Sequence, residues 1–115
     1  MELSLSQSLA QPPIDVGAMA DFIAGLQKPN GEIPWSTGGK TDPWDHVESA
    51  MGLSIAGCIR EAEQAYLWMA QTQLSDGSWW SATRDSVPED RTRDSNVSSY
   101  IAVGVYHHYR ITREM

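Results

Sequence analysis

One pattern occurs twice in this chain and limits what it can become. Residues 22–35 read FIAGLQKPNGEIPW and residues 68–79 read WMAQTQLSDGSW. In each, an aromatic–aliphatic pair is followed by three residues, a Gln, three more residues, a Gly and then a Trp. Gln27 to Gln73 is 46 residues, and so is Gly31 to Gly77. Self-similarity at such a period marks stacked supersecondary units, none of which can bury its apolar face alone.

Helical signals surround both copies. Asp15 is placed to cap a first helix over about 16–27, with Val16, Met19, Ala20, Ile23 and Leu26 on one face. Lys28-Pro29-Asn30-Gly31 ends it. Asp42-Pro43-Trp44-Asp45 starts a second helix, about 43–58, with Asp as cap and Pro in the first turn. Its stripe is Val47, Met51, Ile55 and Ile59, and small residues on its other faces make it an inner helix. A third, amphipathic helix spans about 60–74 and ends at Ser75-Asp76-Gly77. Residues 78–93 form a long polar loop with room for a two-stranded excursion, and a fourth helix follows over about 95–112 behind Asp94.

Asp42, Ala50 and Gly52 lie 52 residues before Asp94, Ala102 and Gly104, so the second loop is six residues longer than the first. The unit is therefore outer helix, Gln…Gly…Trp loop, inner helix. Residues 1–14 are expected to be a flexible arm. Residues 15–115 form the repeat segment, with repeat one about 15–58 and repeat two about 59–112. The fold class is all-α: antiparallel hairpins with four main helices, forming part of an α/α toroid.

Charge and composition narrow the partners. Fifteen Asp+Glu against eight Lys+Arg give a net charge of −7, which disfavours nucleic acid and anionic membranes. No stretch is apolar enough to span a bilayer. Cys58 is the only cysteine, so a disulfide within the chain is excluded, and a cytoplasmic location is expected.

The second copy resembles the Gln-Trp repeat of squalene–hopene cyclases: Trp68, Met69, Gln73, Gly77 and Trp79 match it. The first matches with Phe22, Ile23, Gln27 and Gly31, with three residues before Trp35 in place of one. TDPWDHVESA at 41–50 and RTRDSNVSSYIAVGVYHHY at 91–109 are similar to bacterial prenyltransferase-like proteins. The resemblance implies the prenyltransferase and squalene-cyclase superfamily, an α/α toroid and an isoprenoid or other hydrophobic ligand in an aromatic cavity. If the chain is an enzyme, the resemblance implies a prenyltransferase- or cyclase-like transferase or isomerase. It also implies that the starts of the inner helices face the active-site end.

Those starts carry Asp42, Asp45, His46 and Glu48 as candidate catalytic groups, and Trp44, Asp94, Asn96 and Tyr100 as candidate substrate contacts. The alternative is that Asp42 and Asp45 only cap the helix, with His46 and Glu48 solvated. Gln27, Gly31, Trp35, Gln73, Gly77 and Trp79 are assigned to the framework: an amide at a helix end, a Gly for the turn, an indole over the end.

Asp42-Pro43-Trp44-Asp45 keeps two acids of the cyclase Asp-x-Asp-Asp segment, but Trp44 stands where the protonating Asp would be. Cys58 lies about 24 Å along the helix from Asp42 at 1.5 Å per residue, and His107-His108 point about 100° apart. Neither metal nor cofactor is expected. Arg84, Arg91 and Arg93 form a cationic run that is either a solvated loop or a diphosphate contact.

Three classes stay open: an isoprenoid enzyme segment, a non-catalytic scaffold or binding module, and a glycosidase-type toroid. The last is ranked lowest, because Asp45 and Glu48 lie side by side on one helix face and not across a substrate. Two hairpins cannot close a ring, so self-association or pairing with further toroid repeats is expected. A light-scattering mass above that of the monomer is the check.

Overall fold

The computed structural model describes residues 14–113. The proposed N-terminal arm lies almost wholly outside the described residues. Among the described residues, four long helices and one single-turn helix appear in the expected order, with a small two-stranded sheet in the second loop. They are α1 (Val16–Leu26), α2 (Pro43–Ile55), α3 (Ile59–Thr72), β1 (Ala82–Arg84), β2 (Val87–Asp90), α4 (Ser95–Ser99) and α5 (Ile101–Thr112). Among the described residues no helix is long and apolar enough to cross a membrane.

The caps hold as side-chain chemistry demands. Asp15 accepts from Ala18 N–H at 2.9 Å and Asp42 from Asp45 N–H at 2.8 Å, each filling a donor that a helix start leaves open. Pro43 sits in the first turn of α2, where its missing N–H costs nothing.

The repeat is reproduced bond for bond at the ends of the outer helices. Gln27 (φ −63, ψ 131) and Gln73 (φ −62, ψ 133) both leave their helices in an extended conformation. Lys28 N–H bonds Glu32 O and Gly31 N–H bonds Lys28 O, each at 2.8 Å. One period later Leu74 bonds Ser78 and Gly77 bonds Leu74 at the same length. Asn30 and Asp76 each accept from the amide two residues on, at 3.0 Å. Gly31 and Gly77 have φ of +98 and +90, a region closed to most side chains.

The copies differ at two points. The 46-residue offset aligns Trp79 with Ile33, not with Trp35. Ile33 and Trp79 are both buried, and the Trp79 indole donates to Met69 O at 2.8 Å. Trp35, by contrast, is 54% exposed, so it does not cover a helix end. Gln27 donates to Gly31 O and, across to the next unit, to Glu61 O at 2.9 Å. Gln73 donates to Gly77 O at 2.9 Å and, among the described residues, makes no such bond to a further unit.

α2 is the inner helix and packs on α1, α3, α4 and α5. Its buried stripe is His46, Val47, Ala50, Leu53 and Ser54. The expected Val47–Met51–Ile55 stripe is rotated: Met51 is half-buried, and Ile55 is 66% exposed. Facing it, α3 buries Ala62, Ala65, Trp68 and Met69. Gly104 brings α5 against Val47 and Tyr66. The single fourth helix expected over 95–112 is interrupted at Tyr100, whose backbone stays right-handed (φ −63, ψ −21).

The chain is thus mostly helical, with a hairpin that departs from a purely α description. β1 and β2 pair antiparallel, joined by Asp85 and Ser86 at φ of 49 and 66. Positive φ at both turn residues is the two-residue turn whose twist matches the strands. The hairpin reaches back to the first loop. Thr41 and Thr83 exchange backbone hydrogen bonds at 2.8 Å, Arg84 donates to Gly38 O at 2.7 Å, and Lys28 pairs with Asp85 at 2.9 Å.

Candidate functional site

The first two turns of α2 carry Asp42, Trp44, Asp45, His46 and Glu48, and the structure divides them sharply. His46 turns inward. It is fully buried, with its ring 4.7 Å from that of Trp68. Ile33 N–H donates to His46 Nδ1 at 3.1 Å, and Nε2 lies 2.8 Å from Ala65 O. Nδ1 must therefore be the acceptor and Nε2 the donor, which is the neutral imidazole. Burial, partly offset by the Ala65 carbonyl, pushes its pKa down to about 4. Both nitrogens are occupied inside the core, so His46 is removed from the groups that can meet a substrate.

The other four residues face outward and are joined into one surface. Asp42 Oδ1 caps α2, while Oδ2 accepts from the Trp35 indole at 2.5 Å. Glu48 Oε1 accepts from the Trp44 indole at 2.9 Å and from the Tyr100 hydroxyl at 3.1 Å. The rings of Trp44 and Tyr100 stack at 4.0 Å with 8° between their planes. That stack lies at the interruption between α4 and α5, so Tyr100 joins the second repeat to the start of the first inner helix.

Asp45 is exposed beside this pair. Partial loss of hydration raises its pKa from the ordinary aspartate value, with repulsion from Asp42 and Glu48 adding to the shift. A group that keeps its proton more readily than an ordinary Asp is suited to protonating a leaving oxygen. The positive end of the helix dipole favours the ionised forms of Asp42, Asp45 and Glu48 and so acts against that shift.

Asp45, Glu48 and Ser49 form one side of a cleft of about 560 Å³; Phe22, Ile23, Leu26, Ile33, Pro34 and Trp35 form the rest. That size is usual for a small-molecule site, roughly 300–1,000 Å³. Among the described residues no group of three or more His, Cys, Asp or Glu is placed to hold a metal ion.

The remaining sequence candidates lie elsewhere. Asp94 caps α4, accepting from Asn96 N–H at 2.8 Å and Val97 N–H at 3.2 Å. It borders a separate cleft with Asp76, Arg93 and Ser98, and Asn96 is exposed beside it on α4. Each arginine of the loop is engaged. Arg84 pairs with Glu89 and Arg93 with Asp76, while Arg91 and Arg93 both lie over the Trp80 ring. His108 Nδ1 lies 3.0 Å from Ser54 Oγ, joining α5 to α2.

Sequence reasoning missed Glu32. It is fully buried beneath the site, accepts from Thr41 Oγ1 at 2.5 Å and faces Lys28 Nζ at 3.6 Å. It ties the first loop to the residue preceding Asp42. Its only signal was Lys28 four positions earlier, a spacing that on a helix would have meant little.

No protein-family profile matches the chain. Over 93 residues, 81% of its length, it is 50% identical to the MMP endo-(1,4)-3-O-methyl-alpha-D-mannosidase of Mycolicibacterium hassiacum. The match covers 26% of that protein, so the chain spans about a quarter of the length of this curated relative. Identity of this extent with a glycosidase overturns the resemblance to prenyltransferases and squalene cyclases, and with it the isoprenoid substrate and the transferase or isomerase activity. The Gln…Gly…Trp unit misled because turn sterics and helix-end hydrogen bonds require it, whatever the adjoining acids do.

Proposed function

We propose that the chain supplies an acidic, aromatic wall of the binding site of a glycosidase acting on α-(1,4)-linked mannosides that carry O-methyl groups. The observation that carries this reading is the 50% identity to a mannosidase of that specificity. The surface formed by Asp42, Asp45, Glu48, Trp44 and Tyr100 supports it, because sugars are bound by aromatic faces together with carboxylates that accept from hydroxyls.

In this reading Asp45 is the proton-carrying carboxyl. The side-by-side position of Asp45 and Glu48 then has a different meaning. Glycoside hydrolysis needs two carboxyl groups on opposite sides of the bond, about 5–10 Å apart. Residues on one helix face provide only one side, and the opposing carboxylate comes from chain beyond these two hairpins.

We further infer an α/α toroid in which residues 15–58 and 59–112 are two repeats of a larger ring, completed by further repeats or by copies of the chain. Val103, Val105, Tyr106 and Ile111 on α5 and Met19 on α1 are exposed apolar groups that such neighbours would cover. Gln73, which lacks the cross-unit bond made by Gln27, fits the same arrangement.

The test is titration of the chain with an α-(1,4)-linked 3-O-methylmannose oligosaccharide, followed by amide and indole NMR. Shifts are expected at residues 42–48 and at the Trp35 and Trp44 indoles. In a preparation that releases reducing ends, Asp45→Asn is expected to lower kcat by roughly 10²–10⁴ while leaving binding in place. Shifts confined to other surfaces, or no binding at all, overturn the reading.

A further inference from the structure

The cleft beside Asp45 is built unevenly. Every polar group lining it, Asp45, Glu48 and Ser49, comes from α2, while α1 and the first loop contribute only apolar or aromatic side chains. Phe22 is 68% exposed and Trp35 54%, so two large aromatic groups stay open to solvent next to carboxylates. Trp35 does not swing freely. Its indole N–H is held by Asp42 at 2.5 Å, and the Lys40 ammonium sits 4.4 Å from the centre of its ring.

We propose that this cleft is the subsite that reads the methyl ether of the sugar, with Trp35 and Phe22 as specificity-determining residues. The inference rests on the glycosidase reading and deepens it. Asp45, Glu48 and Ser49 take the free hydroxyls on one side of the ring, and the aromatic wall takes the methyl group on the other. A free hydroxyl turned against that wall loses its hydrogen bonds to water and finds no replacement. A methyl ether at the same place covers apolar surface and has no donor to lose. Discrimination by a single small group in an apolar pocket is typically 10-fold or more.

Three variants and two ligands decide it. Dissociation constants are measured by calorimetry for an α-(1,4)-linked 3-O-methylmannose tetrasaccharide and for its unmethylated counterpart. The wild-type chain is expected to bind the methylated sugar about 10-fold more tightly. Trp35→Phe loses the bond to Asp42 but keeps an aromatic wall, and it retains the preference. Trp35→Ala and Phe22→Ala remove wall, and each brings the ratio of the two constants toward one. Phe22 is clear of the Asp42 cap, so its variant decides the matter if Trp35→Ala fails to fold. Equal binding of both sugars by the wild type, or an unchanged ratio in the Ala variants, overturns this inference and leaves the glycosidase reading standing. Binding of neither sugar overturns both.

Discussion

Gly31→Ala is expected to destabilise the fold by about 3 kcal/mol or more, while Gly77→Ala, at the same place in the other repeat, costs about 1–2 kcal/mol. Both residues sit at strongly positive φ, so both substitutions carry backbone strain. The difference lies in what a Cβ would meet. At Gly31 it would stand 2.1 Å from Gln64 O and 2.8 Å from Gln64 C, backbone atoms of α3 that cannot move without breaking helix hydrogen bonds. At Gly77 the nearest atom is the Gln73 amide nitrogen at 3.8 Å, an ordinary contact. Urea denaturation midpoints of the two variants check this, and equal losses would mean that α3 yields to the new methyl group.

The second large effect depends on pH. In the unfolded chain His46 takes up a proton near 6.5, whereas in the fold burial holds its pKa at about 4. Between those values the unfolded state binds the extra proton, so stability falls as pH falls. His46 therefore contributes fully above about pH 6.5 and progressively less down to about pH 4, a total of roughly 3 kcal/mol. The window from pH 6.5 to 5 is the informative one, because ordinary carboxylates scarcely titrate there. The wild type is expected to lose about 1.6 kcal/mol in all across it, with a slope that steepens toward about 1.4 kcal/mol per pH unit at the acid end. His46→Gln is expected to be less stable at pH 7 and nearly flat over the same range. A wild-type stability that does not change between pH 6.5 and 5 would place the imidazole in contact with water.

Much of this architecture could be read in advance. The Gln and Gly spacings mark the two helix ends, and Asp42-Pro43 marks the start of the inner helix, because local sterics and unpaired amides permit few other residues there. The facing of α2 was less legible. Ala50 and the two polar residues His46 and Ser54 occupy its buried stripe, so counting large apolar residues pointed the helix toward Ile55. His46 itself gave no sign of burial: its partners, Ile33 N–H and Ala65 O, are backbone groups that no side-chain pattern announces. The hairpin at 82–90 was faint for a related reason, since Asp85 and Ser86 adopt positive φ without a Gly or Asn to signal it. Of the candidate surface, Asp42, Trp44, Asp45 and Glu48 were proposed from their position at a helix start and Tyr100 from the correspondence between the repeats, while His46, proposed with them, lies in the core. The likeness to a glycosidase was not legible, since the repeated motif serves the helix ends and carries no information about the acids beyond it.

The hairpin also bears on how such a chain can have arisen. Thr41, in the first copy, has its N–H and C=O completed by Thr83 in the second, and Lys28 and Gly38 are held by Asp85 and Arg84. The first copy has no counterpart of those extra residues to lend. A chain composed of the first copy twice would leave the Thr41 backbone open and Lys28 with only Glu32, at 3.6 Å, in place of its closer partner Asp85. The copies are therefore not interchangeable modules, and what duplication or recombination can move intact is the pair.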